Sequence, residues 1–237
     1  MGTKQGLVKK TPLEEFKNLR KNGLIAINLR EGDELLKVKI TRGDADIIMI
    51  TQNGYAIKFN EKSVRPMGRT ASGVRAINLK DDDIAVCMDI AVKGEEVLVI
   101  SENGFGKRTP IEQYKIQRRN GVGLITYKIS EKTGKLAGAT ICKPDDELML
   151  INSSGIAIRI NVSDISVTSR AAMGVTLMRT NEEEKVVAIT KISADVDKEK
   201  KDNTTKNNEK EVQKNDFSLD KLVERAMSEI EDTNSEE

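Results

Sequence analysis

DIIMITQNGYAIKFN, residues 46–60, sets two short runs of β-branched, aliphatic and aromatic residues on either side of an Asn-Gly pair. Such runs fit strands, and Asn53-Gly54 fits a type I′ hairpin turn, in which both turn residues take positive φ. The stretch reads as a β-hairpin, and it belongs to a series. A turn glycine followed by a short strand returns as KQGLVKKT at Gly6, ENGFGKRT at Gly104 and SSGIAIRI at Gly155. A second anchor follows each turn 17 to 19 residues later: KNGLIAINL at Gly23, ASGVRAINL at Gly73, GVGLITYKI at Gly123 and AMGVTLMRT at Gly174. These second glycines recur at intervals of 50, 50 and 51 residues.

Within the second copy, DIIMIT leads through QNG into YAIKFN, a polar connection reaches GVRAINL, and the acidic turn KDDD leads into IAVCMDIAV. Four strands per copy at this period predict an all-β, propeller-like array of four-stranded blades that bury their faces against one another. The copies fall near residues 1–43, 44–93, 94–144 and 145–196, so that 1–196 form one partial array of about four blades. Five residues precede Gly6, where later copies carry DIIMIT, EVLVIS or ELMLIN. The first blade is therefore expected to lack its opening strand and, unless another segment supplies it, to leave a sheet edge open, and the chain reads as part of a longer protein.

Of the 237 residues, 38% are hydrophobic and only 3% aromatic, so the core must be built from Ile, Val, Leu and Met. The net charge is +1, yet residues 197–237 carry 13 acidic and 8 basic side chains, a net of −5 that leaves +6 on the body. A basic body with an acidic tail is common in proteins that meet nucleic acid, without being specific to them. In the tail, 197–216 is polar enough to be a disordered linker, and FSLDKLVERAMSEIED predicts a short amphipathic helix near 218–231 with Ser218 as N-cap. No apolar run approaches the roughly 18 residues of a membrane span, so a soluble, unexported protein without a membrane partner is expected.

Basic residues keep register with the repeat. The fourth residue after the turn glycine is Lys10, Lys58, Arg108 or Arg159. The fourth residue before the second glycine is Arg69, Arg119 or Arg170, and the first copy offers Arg20 and Lys21 nearby. Lys9, Lys107, Arg65, Arg75 and Arg118 gather in the same zones. A charge repeated at one structural position in every blade forms a belt along one rim, suited to the regularly spaced phosphates of a bent duplex. The alternative is that these residues serve solubility and cross-strand pairing with acids such as Asp81 to Asp83.

The residues also bound the chemistry. With no histidine, no P-loop and no GxSxG, the usual nucleophilic and phosphoryl-transfer sites cannot be assembled, and no catalytic residue is assigned. No metal site is assigned either, because the DDD run at 81–83 reads as a turn. Cys87 and Cys142, in apolar contexts without a CxxC, read as buried thiols of a reducing compartment. Tyr55, Phe105, Tyr114 and Tyr127 read as packing residues rather than base-stacking platforms.

GLVKKTPLEEF, NGLIAINLREGDELL, QNGYAIKFNEKSVRPMGRTASGVRAINL and ENGFGKRTPIEQY resemble the C-terminal domain of the A-type subunit of bacterial DNA gyrase, from about Gly6 to Asp195. The resemblance implies a β-pinwheel, a propeller variant usually of six blades, whose basic rim wraps double-stranded DNA while the whole enzyme, a type II topoisomerase, introduces negative supercoils at the expense of ATP. It implies four of those blades here. The family's box Gln-Arg-Arg-Gly-Gly-Lys-Gly belongs to its first blade. QRRNGVG at 117–123, with Gln117, Arg118 and Arg119, resembles a degenerate copy of that box in a later blade, departing at Asn120 and Val122. No cofactor is implied for this chain; ATP and magnesium (Mg) would act elsewhere in the enzyme. The implied partners are DNA, the remainder of the A-type gyrase subunit, and the B-type gyrase subunit in a heterotetramer. The implied place is the bacterial cytoplasm, on the chromosome. The A-type subunit of topoisomerase IV shares this architecture and stays open, as does a propeller-type scaffold for protein interaction.

Overall fold

A computed structural model describes residues 1–194 except 20 and 182; the linker and helix expected after residue 196 lie outside the described residues. The first copy contributes β1 (Gly2–Thr3), β2 (Leu7–Val8) and β3 (Leu35–Lys37), and the second β4 (Asp46–Thr51), β5 (Tyr55–Asn60), β6 (Val74–Arg75) and β7 (Ala85–Ile90). The third supplies β8 (Glu96–Ser101), β9 (Phe105–Pro110), β10 (Leu124–Ile125) and β11 (Leu136–Cys142). The fourth supplies β12 (Glu147–Asn152), β13 (Ala157–Asn161), β14 (Val175–Thr176) and β15 (Val186–Ile192). Short 3-10 helices follow β2, β5, β9 and β13, and no α-helical element occurs among the described residues.

The sheets do not coincide with the copies. Their strand orders are β3-β1-β2-β6, β10-β5-β4-β7, β11-β8-β9-β14 and β13-β12-β15. Each of the first three sheets borrows one edge strand from the copy that follows, the strand that begins at the second anchor glycine. The opposite edges, β3, β7, β11 and β15, pack against one another from sheet to sheet, so the borrowed strands form the outer rim of the array.

The short β1 corrects the expectation that the first blade lacks its opening strand. The place of the opening strand is interior to the sheet, and the two-residue β1 fills it, pairing with β2 on one side and β3 on the other. Among the described residues it is β13, in the fourth sheet, that has no outer neighbour.

Strand alternation explains the continuous apolar runs. In β4, Ile47 and Met49 face one side and join Val8, Phe59, Val64 and Met88, whereas Ile48 and Ile50 face the other and join Val97, Val99 and Tyr127. In β8, Val97 and Val99 turn toward the second sheet, and Leu98 and Ile100 meet Leu148 and Leu150 of the fourth. A strand buried on both faces cannot alternate apolar with polar, so it reads as an unbroken aliphatic run.

The hairpin turns differ from the type I′ expectation. Gly54 and Gly104 have φ of +81 and +77, but Asn53 and Asn103 are not at positive φ. The loop has three residues, closed by Gly54 N–H donating to Thr51 O at 3.0 Å, with the glycine alone in the left-handed region. Asn53 N–H is held instead by Asp83 Oδ1 at 2.9 Å, which fixes the turn from the side and buries one acid of the DDD run. Tyr114 and Tyr127 lie in the core, and Cys87 and Cys142 are buried free thiols whose pKa burial pushes up to about 12.

Candidate nucleic-acid interface

The loop that carries each register arginine precedes a borrowed strand, so it stands at the outer rim. Each arginine reaches the previous copy. Arg69 Nη1 donates to Ile25 O at 3.3 Å, Arg119 Nη1 to Arg75 O at 2.9 Å, and Arg170 Nη1 to Ile125 O at 3.2 Å. All three acceptors lie two residues after a second anchor glycine, so one contact is repeated along the rim. Arg119 adds bonds to Ser63: Nη2 to the carbonyl at 2.8 Å and Nε to the hydroxyl at 3.1 Å.

Arg75, Arg118 and Arg119, with Ser63 and Asn120, line an open cleft of about 410 Å³. Asn120 takes φ +66 and donates its N–H to Ala76 O at 2.8 Å, a conformation that asparagine tolerates better than other non-glycine residues. The side chains of Arg75 and Arg118 are exposed and have no protein partner among the described residues. No carboxylate lines the cleft. Three guanidinium groups lining one cleft without an acid could receive an anion, and a phosphodiester oxygen pair would match their planar donor geometry.

The other expected residues divide into two groups. Arg65 and Lys21 are exposed, Lys58 and Gln117 are half-buried, and Arg20 lies outside the described residues. Gln117 donates its backbone N–H to Lys58 O at 2.7 Å, which joins the loop to β5. Lys10, Arg108 and Arg159 face acids of the protein. Lys10 Nζ is 3.9 Å from Glu61, Arg108 Nη1 is 2.6 Å from Glu96, and Arg159 pairs with Glu147. Arg108 is buried and also donates to Ile165 O and Ser163 O, fastening its strand to the neighbouring loop.

Lys9 and Lys107 are buried too. Lys9 Nζ donates to Ala26 O and Arg69 O, and Lys107 Nζ donates to Ser169 O and Arg170 O. Burial, assisted by Arg170, depresses the Lys107 pKa to about 8, and burial with Arg69 lowers that of Lys9. These ammonium groups therefore sit beneath the rim loops instead of on them. The sequence register found the zone but not the direction: Lys9 and Lys10 are adjacent basic residues, and only the fold shows that the first ends on loop carbonyls and the second beside Glu61. Ser63, the acceptor that holds Arg119, carried no signal in the sequence.

The family model described as "DNA gyrase C-terminal domain, beta-propeller" matches residues 1–42, 45–86, 95–143 and 146–193. The A-type subunit of DNA gyrase from Clostridium acetobutylicum is 68% identical over 195 residues, which are 82% of this chain and 24% of that protein. Its counterpart from Klebsiella oxytoca is 41% identical, over 85% of this chain and 23% of its own length. The chain thus spans about a quarter of the length of these relatives. Among solved structures, the C-terminal domain of DNA topoisomerase IV superimposes with a TM-score of 0.80 at 27% identity, covering 86% of this chain and 64% of that one. The DNA gyrase A C-terminal domain superimposes with a TM-score of 0.72 at 26% identity, covering 81% and 64%.

Proposed function

Because the chain belongs to the DNA gyrase C-terminal domain family, we propose that it binds double-stranded DNA without reading bases and wraps it along the outer rim. The observation that carries this reading is the cleft of Arg75, Arg118 and Arg119, an acid-free guanidinium cluster on the rim. Arg65, Arg69 and Arg170 extend the positive track, whereas Lys9, Lys107 and Arg108, being buried, are given no direct phosphate contact. Arginines that touch phosphates alone neutralise charge and release counterions, and the gain is the same for any sequence. In the whole enzyme this wrapping would orient a DNA segment for strand passage and negative supercoiling driven by ATP. The partners there would be the B-type gyrase subunit with the remainder of the A-type one, in the cytoplasm. No helix among the described residues is long and apolar enough to cross a membrane.

Gyrase is preferred to topoisomerase IV because the relatives at 68% and 41% identity are both A-type gyrase subunits. The test is a linking-number assay: a nicked plasmid is bound by the chain, sealed with ligase and deproteinised. Bound chain that wraps DNA shifts the mean linking number in proportion to occupancy. Saturation without any shift would leave binding but remove wrapping.

A further inference from the structure

The residue three places after the turn glycine alternates along the array. It is Lys9 in the first copy and Lys107 in the third, but Ile57 in the second and Ile158 in the fourth. A lysine that is fully buried in a β-propeller face needs a reason, because isoleucine fills the same place in the intervening copies. The reason is visible in the acceptors. Lys107 ends on two carbonyls of one rim loop, Ser169 and Arg170, and Lys9 on Ala26 of its own copy and Arg69 of the next, so in each case one acceptor belongs to the register arginine itself. No carboxylate is bonded to either Nζ.

We propose that Lys9 and Lys107 are positioning residues that, in their charged form, hold the Arg69 and Arg170 loops against the rim and so set their DNA affinity. This rests on the DNA-binding reading above. The charge matters twice. An ammonium gives charge-assisted bonds to the two carbonyls, stronger than those of a neutral amine, and its positive field lies directly under the phosphate-facing arginine. Phosphate docking at Arg170 in turn favours the ammonium form. Binding at the third copy is then linked to proton uptake, and affinity falls as Lys107 loses its proton.

The charged and titratable groups near Lys107 are Arg170, which disfavours its charge, and Tyr127, whose ring centroid is 5.8 Å from Nζ and whose own pKa burial raises. Near Lys9 stand Arg69 and the Met1 amino group, itself lowered by burial and by Lys9. The depressed pKa of Lys107, about 8, puts its deprotonation within reach of a binding experiment. The chain has no histidine, and among the described residues the Met1 amino group and Lys9, both lowered by burial, are the other groups shifted toward that window, which is why the Lys107→Ile comparison carries the test.

The experiment measures affinity of the full chain for a 60-base-pair duplex, a length on the order of a few helical turns, at constant salt between neutral and alkaline pH. It compares the wild type with Lys107→Ile, the residue its register mates use, and with Lys9→Ile. The wild type should lose about threefold or more in affinity across the window, equivalent to a fraction of a decade in Kd. Lys107→Ile should bind more weakly at neutral pH and show a shallower profile. Wild-type binding with a Lys107→Ile profile that is equally steep, or with unchanged neutral affinity, overturns the positioning role. A wild type that fails to bind at neutral pH and low salt removes the DNA reading itself. Circular dichroism at each pH separates loss of the fold from loss of affinity, and Lys9→Ile supplies the second site should Lys107→Ile not fold.

Discussion

Arg119 donates through Nη1 to the carbonyl oxygen of Arg75 at 2.9 Å, so a loop of the third copy is tied to the outer strand of the second. The same tie joins Arg69 to Ile25 and Arg170 to Ile125. Each register arginine thus acts first as a rivet between successive copies. Arg119 commits all three of its guanidinium nitrogens to protein acceptors, whereas Arg118 beside it is exposed and has no protein partner among the described residues.

That difference predicts distinct signatures for neighbouring arginines. Arg75→Ala with Arg118→Ala should leave stability within about 0.5 kcal/mol, as expected for exposed side chains without partners. It should make the slope of log K against log salt shallower by about two units, one per lost phosphate contact. Arg119→Ala should lower both stability and affinity. A salt titration paired with urea denaturation checks this, and an unchanged slope in the double variant would take these two side chains off the DNA path.

The turn glycines separate backbone strain from packing. Gly104, at φ +77, lies so close to the chain that continues the borrowed strand that a Cβ would collide with Met178 O. Gly155, at φ +81, has nothing within 4 Å of its Cβ position, because the fourth sheet lacks a borrowed strand among the described residues. Gly155→Ala should therefore cost about 1 kcal/mol from the left-handed backbone alone, and Gly104→Ala about 3 kcal/mol because an outer strand must move as well. Equal losses in urea denaturation would mean that the outer strand yields freely.

The repeat and the strands at DIIMIT and EVLVIS were legible because hydrophobic runs and glycine spacing are local quantities. The strand exchange was not. GVRAINL would pair as well with its own copy as with the previous one, and nothing in its composition states which. The same limit applied to the belt: Lys10, Arg108 and Arg159 share a register with Lys58, but Glu96 and Glu147 become neighbours of the two arginines only once their hairpins fold, and Glu61 of Lys10 only once the second copy packs on the first. Nor was the partner of the Asn53 N–H legible, since Asp83 lies thirty positions away in sequence.

Register mates with different burial should differ in energetic weight. The Arg108 and Glu96 side chains are 8% and 15% exposed, and Arg108 also holds two carbonyls of the next loop. The Arg159 and Glu147 side chains are 51% and 31% exposed. Arg108→Met should cost about 3 kcal/mol, since it leaves a buried carboxylate and two carbonyls without their donor. Arg159→Met should cost less than about 1 kcal/mol, the usual worth of an exposed pair. Chemical denaturation of the two variants checks the contrast, and similar losses would mean that the Arg108 site relaxes to admit water.

Lys107 gives a pH signature in stability that is opposite in sign to the one in DNA binding. Its pKa is about 8 in the folded protein, against about 10.4 for an unperturbed lysine in the unfolded chain. Below about pH 8 both states hold the proton, and the cost of burying the ammonium is present in full. Between that point and about pH 10 the unfolded chain still binds the proton and the folded chain does not, so stability rises with pH. At about 1.4 kcal/mol per pKa unit the rise is on the order of 2 kcal/mol for the wild type relative to Lys107→Ile. Urea denaturation of both chains at pH 8 and pH 10 measures it as a difference, which cancels the titration of exposed lysines and of the tyrosines. A wild type that loses stability relative to the variant would mean that the buried ammonium is stabilised by its carbonyls beyond its cost of desolvation.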